Sequence, residues 1–189
     1  MSDTTPRLRI TRRSGKVRVL AEPGAALSVD GGSYAESEDG TVEIRAHGGA
    51  TLEVRCAAGS DLTISTSSGK VDVRGDAGSV KVITKSGDVK IERATAVNAR
   101  GASGRVEVGA TDDAEVKTVS GKVTLGARGG GQLAARSISG SVDISVPDGS
   151  RPETRLKAVS GRVRCDCEPG HDGEIRAKSV SGSISVTCR

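Results

Sequence analysis

The sequence predicts an all-β protein built as a β-solenoid, with two short strands in each coil of 17–21 residues. The first observation is a Ser-Gly dipeptide that recurs from Ser68 to Ser181 at spacings of 18, 17, 17, 19, 21 and 21 residues. The second is the alternation of apolar and polar residues on both sides of each Ser-Gly, which is typical of half-buried strands. The third is that no stretch keeps the 3.6-residue period of a helix. A short, fixed repeat of this kind indicates stacked structural units.

The composition agrees with a thin and regular interior. The chain of 189 residues has 26 Gly and one Tyr, and it has no Phe or Trp. Most protein cores use aromatic side chains to fill volume. Here Val, Ile, Leu and Ala must form the core, which suits flat coils stacked at the spacing of β-strands.

The first 60 residues carry the strand pattern loosely. Alternating segments such as RLRITR, KVRVL and TVEIRA are separated by Gly-rich turns such as EPGA and DGGS. We therefore divide the chain into an N-terminal strand or capping region, residues 1–60, and a solenoid repeat region, residues 61–189. The two regions form either one continuous domain or a stack with a separate small sheet.

From residue 61 onward the repeats align on their Ser-Gly corners. Two apolar positions precede each corner and two follow it, as Val80, Val82, Val89 and Ile91 do around Ser86. Stacking the repeats produces four nearly pure apolar columns, which we expect to face the interior. Gly at one fixed place in every repeat indicates a backbone conformation or close approach that a Cβ would obstruct.

A basic column is predicted on the outer surface. Three residues before the corner Ser, five consecutive repeats carry a cation, and the alternation directs these side chains outward: Arg100, Lys117, Arg136, Lys157 and Lys178. Like charges on neighbouring strands are destabilising. The column is therefore either a solvated face that discourages sheet association or a linear track for a polyanion, such as anionic lipid, a wall polymer or a nucleic-acid backbone. Specific nucleic-acid recognition is not expected, because stacking aromatic residues are lacking.

The cysteines allow three alternatives. Cys165 and Cys167 share the strand parity of Val163, so both are expected to face inward. If the coils stack in chain order, the 21-residue repeat places Cys167 between Val146 and Cys188. Cys167 and Cys188 are then stacked core thiols or a disulfide. The third alternative is a metal site made by Cys165, Cys167, Cys188 and His171, for which a C-x-C pair is a weak signal. We predict no metal site.

Nothing in the sequence indicates catalysis. The two histidines, His47 and His171, lie in Gly-flanked turns, and the motifs of nucleophile elbows, phosphate loops and metalloproteases do not occur. We predict a non-enzymatic protein without a cofactor. The sequence contains neither a secretory signal pattern nor an apolar transmembrane segment. A cytoplasmic location is therefore expected, with peripheral contact with a membrane left open.

The last predicted strand, SISVTC, is followed only by Arg189. A solenoid end that nothing covers exposes unpaired backbone and core residues. We therefore expect a homo-oligomer that assembles end to end through an uncapped C-terminal coil.

The repeated SGxVxV unit between Leu62 and Arg189 resembles the bacterial putative-adhesin or toast-rack family of repetitive β-strand domains. A weaker likeness connects it with bactofilins, which are β-helices that polymerise end to end. The first resemblance implies a β-repeat fold and a link to cell-envelope stress or organisation. We expect a structural or interaction scaffold, and the alternative is a polyanion- or carbohydrate-binding module that uses the basic column.

Overall fold

The computed structural model describes residues 6–46 and 50–189, which form seventeen strands and no helix. The strands are β1 Arg7–Arg12, β2 Lys16–Glu22, β3 Ser28–Asp30, β4 Gly32–Glu36, β5 Thr41–Ala46, β6 Leu52–Ala57, β7 Asp61–Ser68, β8 Lys70–Ser86, β9 Val89–Ser103, β10 Val106–Ser120, β11 Val123–Ala127, β12 Gln132–Ser139, β13 Val142–Val146, β14 Glu153–Ser160, β15 Val163–Cys165, β16 Glu174–Ser181 and β17 Ile184–Cys188.

The predicted β-solenoid is confirmed. Each coil has a first arm that runs to the Ser-Gly corner and a second arm that follows it, and equivalent arms of adjacent coils pair in parallel. Val71 lies opposite Val89, and Val89 lies opposite Val106. The long strands β8, β9 and β10 each join the second arm of one coil to the first arm of the next. One sheet runs through all seventeen strands, across the predicted boundary at residue 60.

The corner glycines meet both conditions expected of them. Gly87 has a φ of +144°, a conformation that residues with a side chain rarely adopt. A Cβ at Gly87 would also overlap the carbonyl oxygen of Gly69 in the neighbouring coil. Backbone hydrogen bonds continue through the corner, since the Gly87 amide donates to the Ser103 carbonyl at 3.2 Å. The corner is therefore a backbone ladder that tolerates only glycine.

The apolar columns form the interior. In the coil around Ser86, all four predicted residues are at most 2% exposed: Val80, Val82, Val89 and Ile91. A fifth inward position, two residues before the corner Ser, carries buried hydroxyl side chains in several coils: Thr66, Thr84, Thr118, Ser137 and Ser179. The interior is apolar along the arms and becomes more polar next to the corner.

At the N-terminal end the first coil in the chain is not the first in the stack. Strand β1 pairs with both β5 and β7, and β2 pairs with both β6 and β8. The coil of β5 and β6 therefore lies outside the coil of β1 and β2. Antiparallel strands β3 and β4 pair with β6 and β5, while Leu27 and Val29 pack against the core. This closed end leaves Ile44 and Leu52 fully buried.

The other end has the same exchange of order, and this corrects the prediction that the coils stack in chain order. Strands β16 and β17 pair with β12 and β13 on one side and with β14 and β15 on the other. Val146 therefore lies opposite Cys188 rather than Cys167. The last coil in the chain is internal, and the coil of β14 and β15 ends the stack. The prediction of an uncapped C-terminal coil is wrong, because the open coil is the one before it.

The exchange has a physical reason. Both coils present the same corner and column pattern, so either could pair with β12 and β13. At the inward positions, Ile175 of the internal coil lies opposite Thr154 of the outer coil, Ile184 opposite Val163, and Val186 opposite Cys165. The internal coil is thus the more apolar at three of the four inward positions, and only Ala177, opposite Leu156, is the smaller residue. Leaving Thr154 partly exposed costs less than leaving Ile175 exposed. The connecting segment 147–152 needs to cross only about 10 Å, or two strand spacings, and segment 166–173 returns across one spacing of about 5 Å.

Candidate functional site

The basic column exists as a continuous row on the outer face of the first arms. Each cation lies opposite the next in the order Arg100, Lys117, Arg136, Lys178, Lys157. The structure thus brings together all five predicted residues, with the last two exchanged because their coils are exchanged. Adjacent members are separated by one strand spacing, about 4.8 Å.

Acidic groups compensate one half of the row. Lys117 forms an ion pair with Glu115 at 2.5 Å, and Asn98 donates to the same carboxylate at 3.1 Å. The hydrogen bond and charge of Lys117, with a smaller contribution from Arg100, lower the pKa of Glu115. These two cations therefore share a carboxylate that stays ionised.

The other half of the row is not compensated. Within residues 6–46 and 50–189, no carboxylate lies within ion-pair distance of Arg136, Lys178 or Lys157. The neighbouring outward arginines are paired instead: Arg155 with Glu153 at 2.8 Å, and Arg176 with Glu174 at 2.5 Å. Since the arginine pairs are satisfied, three adjacent like charges remain free for an external anion.

A shallow groove of about 310 Å³ lies beside these cations. It forms over Ala134, whose small side chain leaves a depression in the outer face between larger neighbours. The remaining lining consists of Glu115, Arg136, Arg155, Arg176 and Lys178. Four of these five groups are cationic, so the depression is suited to an anionic group.

Sequence reasoning missed a second row on the same face. The residue immediately before the corner Ser is apolar and between 49% and 74% exposed in four consecutive coils: Val119, Ile138, Val180 and Val159. We call this the outer apolar row. Strand parity already directed these positions outward, and their uniform β-branched character was the available signal. The outer apolar row lies two residues along each strand, or about 7 Å, from the basic column.

The structure joins Cys167 and Cys188 in a disulfide, with 5.5 Å between their Cα atoms. The geometry favours the disulfide among the three alternatives, and its formation in solution stays a prediction. Cys165 lies opposite Val186 in an inward column, as predicted, but it is exposed because no coil covers it. Cys56 is buried, and burial raises the pKa of its thiol.

The described part of the chain contains no group of three His, Cys, Asp or Glu side chains that could hold a metal ion. His47 lies outside the described residues. The absence of enzymatic activity stays a prediction.

A family model described as Toastrack DUF4097 matches residues 9–188. The chain belongs to the Toastrack DUF4097 family. No curated protein matches the chain. None of the residues described for this Toastrack protein lies in a helix long and apolar enough to cross a membrane.

Two solved structures are similar to this chain. One is described as a putative adhesin from Bacteroides fragilis NCTC 9343, with 12% identity, a TM-score of 0.55, and coverage of 97% of this chain and 93% of the other. The second is described as a putative cell adhesion protein from Clostridium sporogenes ATCC 15579. It has 10% identity and a TM-score of 0.47, with coverage of 98% of this chain and 93% of the other. At this identity the first likeness shows the fold alone.

Proposed function

We propose that this Toastrack protein is a non-enzymatic interaction scaffold that self-associates through its open end, the coil of β14 and β15. The observation that carries the proposal is the difference between the two ends of the stack. At the closed end, antiparallel strands and Leu27 cover the last parallel coil. Among the described residues, the terminal strands pair on one side only at both ends, β3 and β4 at the closed end and β14 and β15 at the open end. The difference lies in the inward side chains, which are covered at the closed end and accessible at the open end.

The open end exposes interior as well as backbone. Val163 is 46% exposed, whereas its partner Ile184 in the next coil is 1% exposed. Leu156 is only partly buried, while its partner Ala177 is fully buried. Unpaired strand edges with accessible apolar side chains are the usual sites of strand addition.

The partner that we propose is a second copy of the chain, related by a two-fold axis. Such an axis places β14 antiparallel to its own copy, so that both edges gain hydrogen bonds and the two half-covered interiors cover each other. Since β3, β4 and Leu27 already cover the interior at the opposite end, we expect this contact to produce a dimer and not a filament. A role of this scaffold in cell-envelope stress or organisation belongs to the same proposal and rests on the family resemblance alone.

Sedimentation equilibrium at protein concentrations from about 1 to about 500 µM tests the proposal. This range covers the dissociation constants expected of a weak to moderate interface. We expect a monomer–dimer equilibrium for the natural sequence. Val163→Lys introduces a charge into the exposed inward column, and we expect it to leave a folded monomer. Circular dichroism and thermal unfolding establish that the variant is folded.

Tyr34→Lys is the matched control at the closed end, where Tyr34 is exposed on β4. We expect it to dimerise like the natural sequence. Loss of association in Tyr34→Lys would indicate head-to-tail stacking and contradict the two-fold contact. A strict monomer at every concentration, or a folded Val163→Lys dimer, would contradict self-association through the open end.

Binding of a polyanion is the second candidate function, and a specific observation favours it. Arg136, Lys178 and Lys157 are adjacent, and no carboxylate of the described residues forms an ion pair with them. An acidic carbohydrate would serve as such a ligand, because it presents repeated anions as other polyanions do. Replacing the three cations with Glu should abolish retention on heparin. For the natural sequence, retention should fall steeply as salt rises. Unchanged retention of the Glu variant would overturn this candidate.

A further inference from the structure

The outer face of the last three coils combines cations and apolar side chains in two parallel rows. Arg136, Lys178 and Lys157 form the first row, and Ile138, Val180 and Val159 form the second. We propose that this face docks on the surface of an anionic lipid bilayer. The inference rests on the second candidate function, polyanion binding, and it names the source of the anions.

The arrangement of the two rows supports this ligand. Both rows run along the stack axis, because each of their members occupies the same position in successive coils. A solenoid lying with its axis parallel to a bilayer therefore brings both rows to the interface at once. The cations can reach lipid phosphates, while the β-branched side chains enter the boundary between headgroups and acyl chains. The shallow depression over Ala134 has room for an anionic group between Arg136 and Lys178.

The outer apolar row distinguishes a lipid surface from a soluble polyanion. A wall polymer or a nucleic-acid backbone would use the cations but would leave Ile138, Val180 and Val159 without a favourable contact. Binding of bases by stacking needs aromatic side chains. The chain has one aromatic residue, Tyr34, which lies at the closed end of the stack.

Docking on lipid and pairing at the open end use different surfaces. Lys157 and Val159 belong to β14, but the strand parity directs their side chains away from the sheet, on the outer face. The proposed dimer contact uses the backbone edge of β14 and the inward side chains. Each function can therefore be removed while the other is kept.

Vesicle co-sedimentation of the full chain tests the inference, with phosphatidylcholine vesicles and with vesicles that also contain phosphatidylglycerol. We expect binding only to the anionic vesicles. Replacing Arg136, Lys157 and Lys178 with Gln should weaken it by on the order of 100-fold. Replacing Ile138, Val159 and Val180 with Thr keeps the charge and the β-branching, and we expect a loss of about tenfold or more.

Matched controls separate these effects from net charge and from general hydrophobicity. Lys70 and Lys90 lie on second arms, and Lys122 lies immediately before one. Their replacement with Gln removes the same charge from another face. Tyr34→Thr removes an exposed apolar side chain far from the rows. We expect vesicle binding within about twofold of the natural sequence for both controls.

Heparin retention, measured in parallel, distinguishes polyanion binding in general from docking on a lipid surface. The Thr variant should keep heparin retention while it loses vesicle binding. If the Thr variant binds anionic vesicles as tightly as the natural sequence, the outer apolar row takes no part in binding. Vesicle binding then reports polyanion binding alone, and the lipid inference is overturned. If the natural sequence is retained on heparin but binds neither kind of vesicle, a soluble polymer is the ligand and the lipid inference is overturned. If it binds neither heparin nor vesicles, both proposals fail.

Discussion

The order of the last two coils can be tested by paired cysteine substitutions. In the structure, Asp143 lies opposite Ser185, and Ser185 lies opposite Arg164. Asp143 and Arg164 are therefore two strand spacings apart, about 10 Å. If the coils followed chain order, Asp143 and Arg164 would instead be neighbours. Disulfides need Cα atoms within about 7 Å, so each order permits one crosslink and forbids the other.

We expect Asp143→Cys with Ser185→Cys to form a disulfide in a background whose four natural cysteines are replaced by Ala. Because that bond closes a loop of about 40 residues, it should raise the free energy of unfolding by about 4 kcal/mol. Non-reducing electrophoresis, peptide mass spectrometry and urea unfolding with and without reductant measure both effects. Asp143→Cys with Arg164→Cys is the control and should stay reduced. The reverse result would refute the exchanged order.

Three further predictions concern the corner, the interior and the free thiols. Gly87→Ala should lower the free energy of unfolding, measured by urea titration, by about 3 kcal/mol or more, because the added Cβ is strained and overlaps backbone. Gly129→Ala is the control. A Cβ at Gly129 meets nothing within 4 Å, so the free energy of unfolding should change by less than about 0.5 kcal/mol. Thr84→Val should raise the melting temperature, with a gain of about 1 kcal/mol, because the buried Thr84 Oγ1 has no hydrogen-bond partner among the described residues. A lower melting temperature would show that this hydroxyl is satisfied. At pH 8, iodoacetamide should modify exposed Cys165 readily and Cys56 only after unfolding, since Cys56 is buried and its pKa is raised. Equal rates for the two thiols in the folded protein would contradict this placement.

The residues of the candidate site could be predicted from the sequence, but their ion pairing and their order along the stack could not. Period-two parity was enough to place Arg136 and Lys178 on the outside, and the corner spacing was enough to align them. Parity also directed Ile138 and Val180 outward, so the outer apolar row could have been found in the same alignment. Which cations remain without a carboxylate could not be predicted, because it depends on where the Arg155 and Arg176 side chains turn to meet Glu153 and Glu174.

The sequence by itself determined the solenoid, its inward columns and its glycine corners. These features are local, since the period of two, the Ser-Gly phrase and the repeat length all lie within one coil and its chain neighbours. Only the tertiary structure decided which coil stands beside which. Coils with the same column pattern are interchangeable as neighbours, so their order depends on small differences in burial, such as Ile175 inside and Thr154 at the end. That choice moves the open edge from the last coil to the one before it, and it sets the order of the basic column.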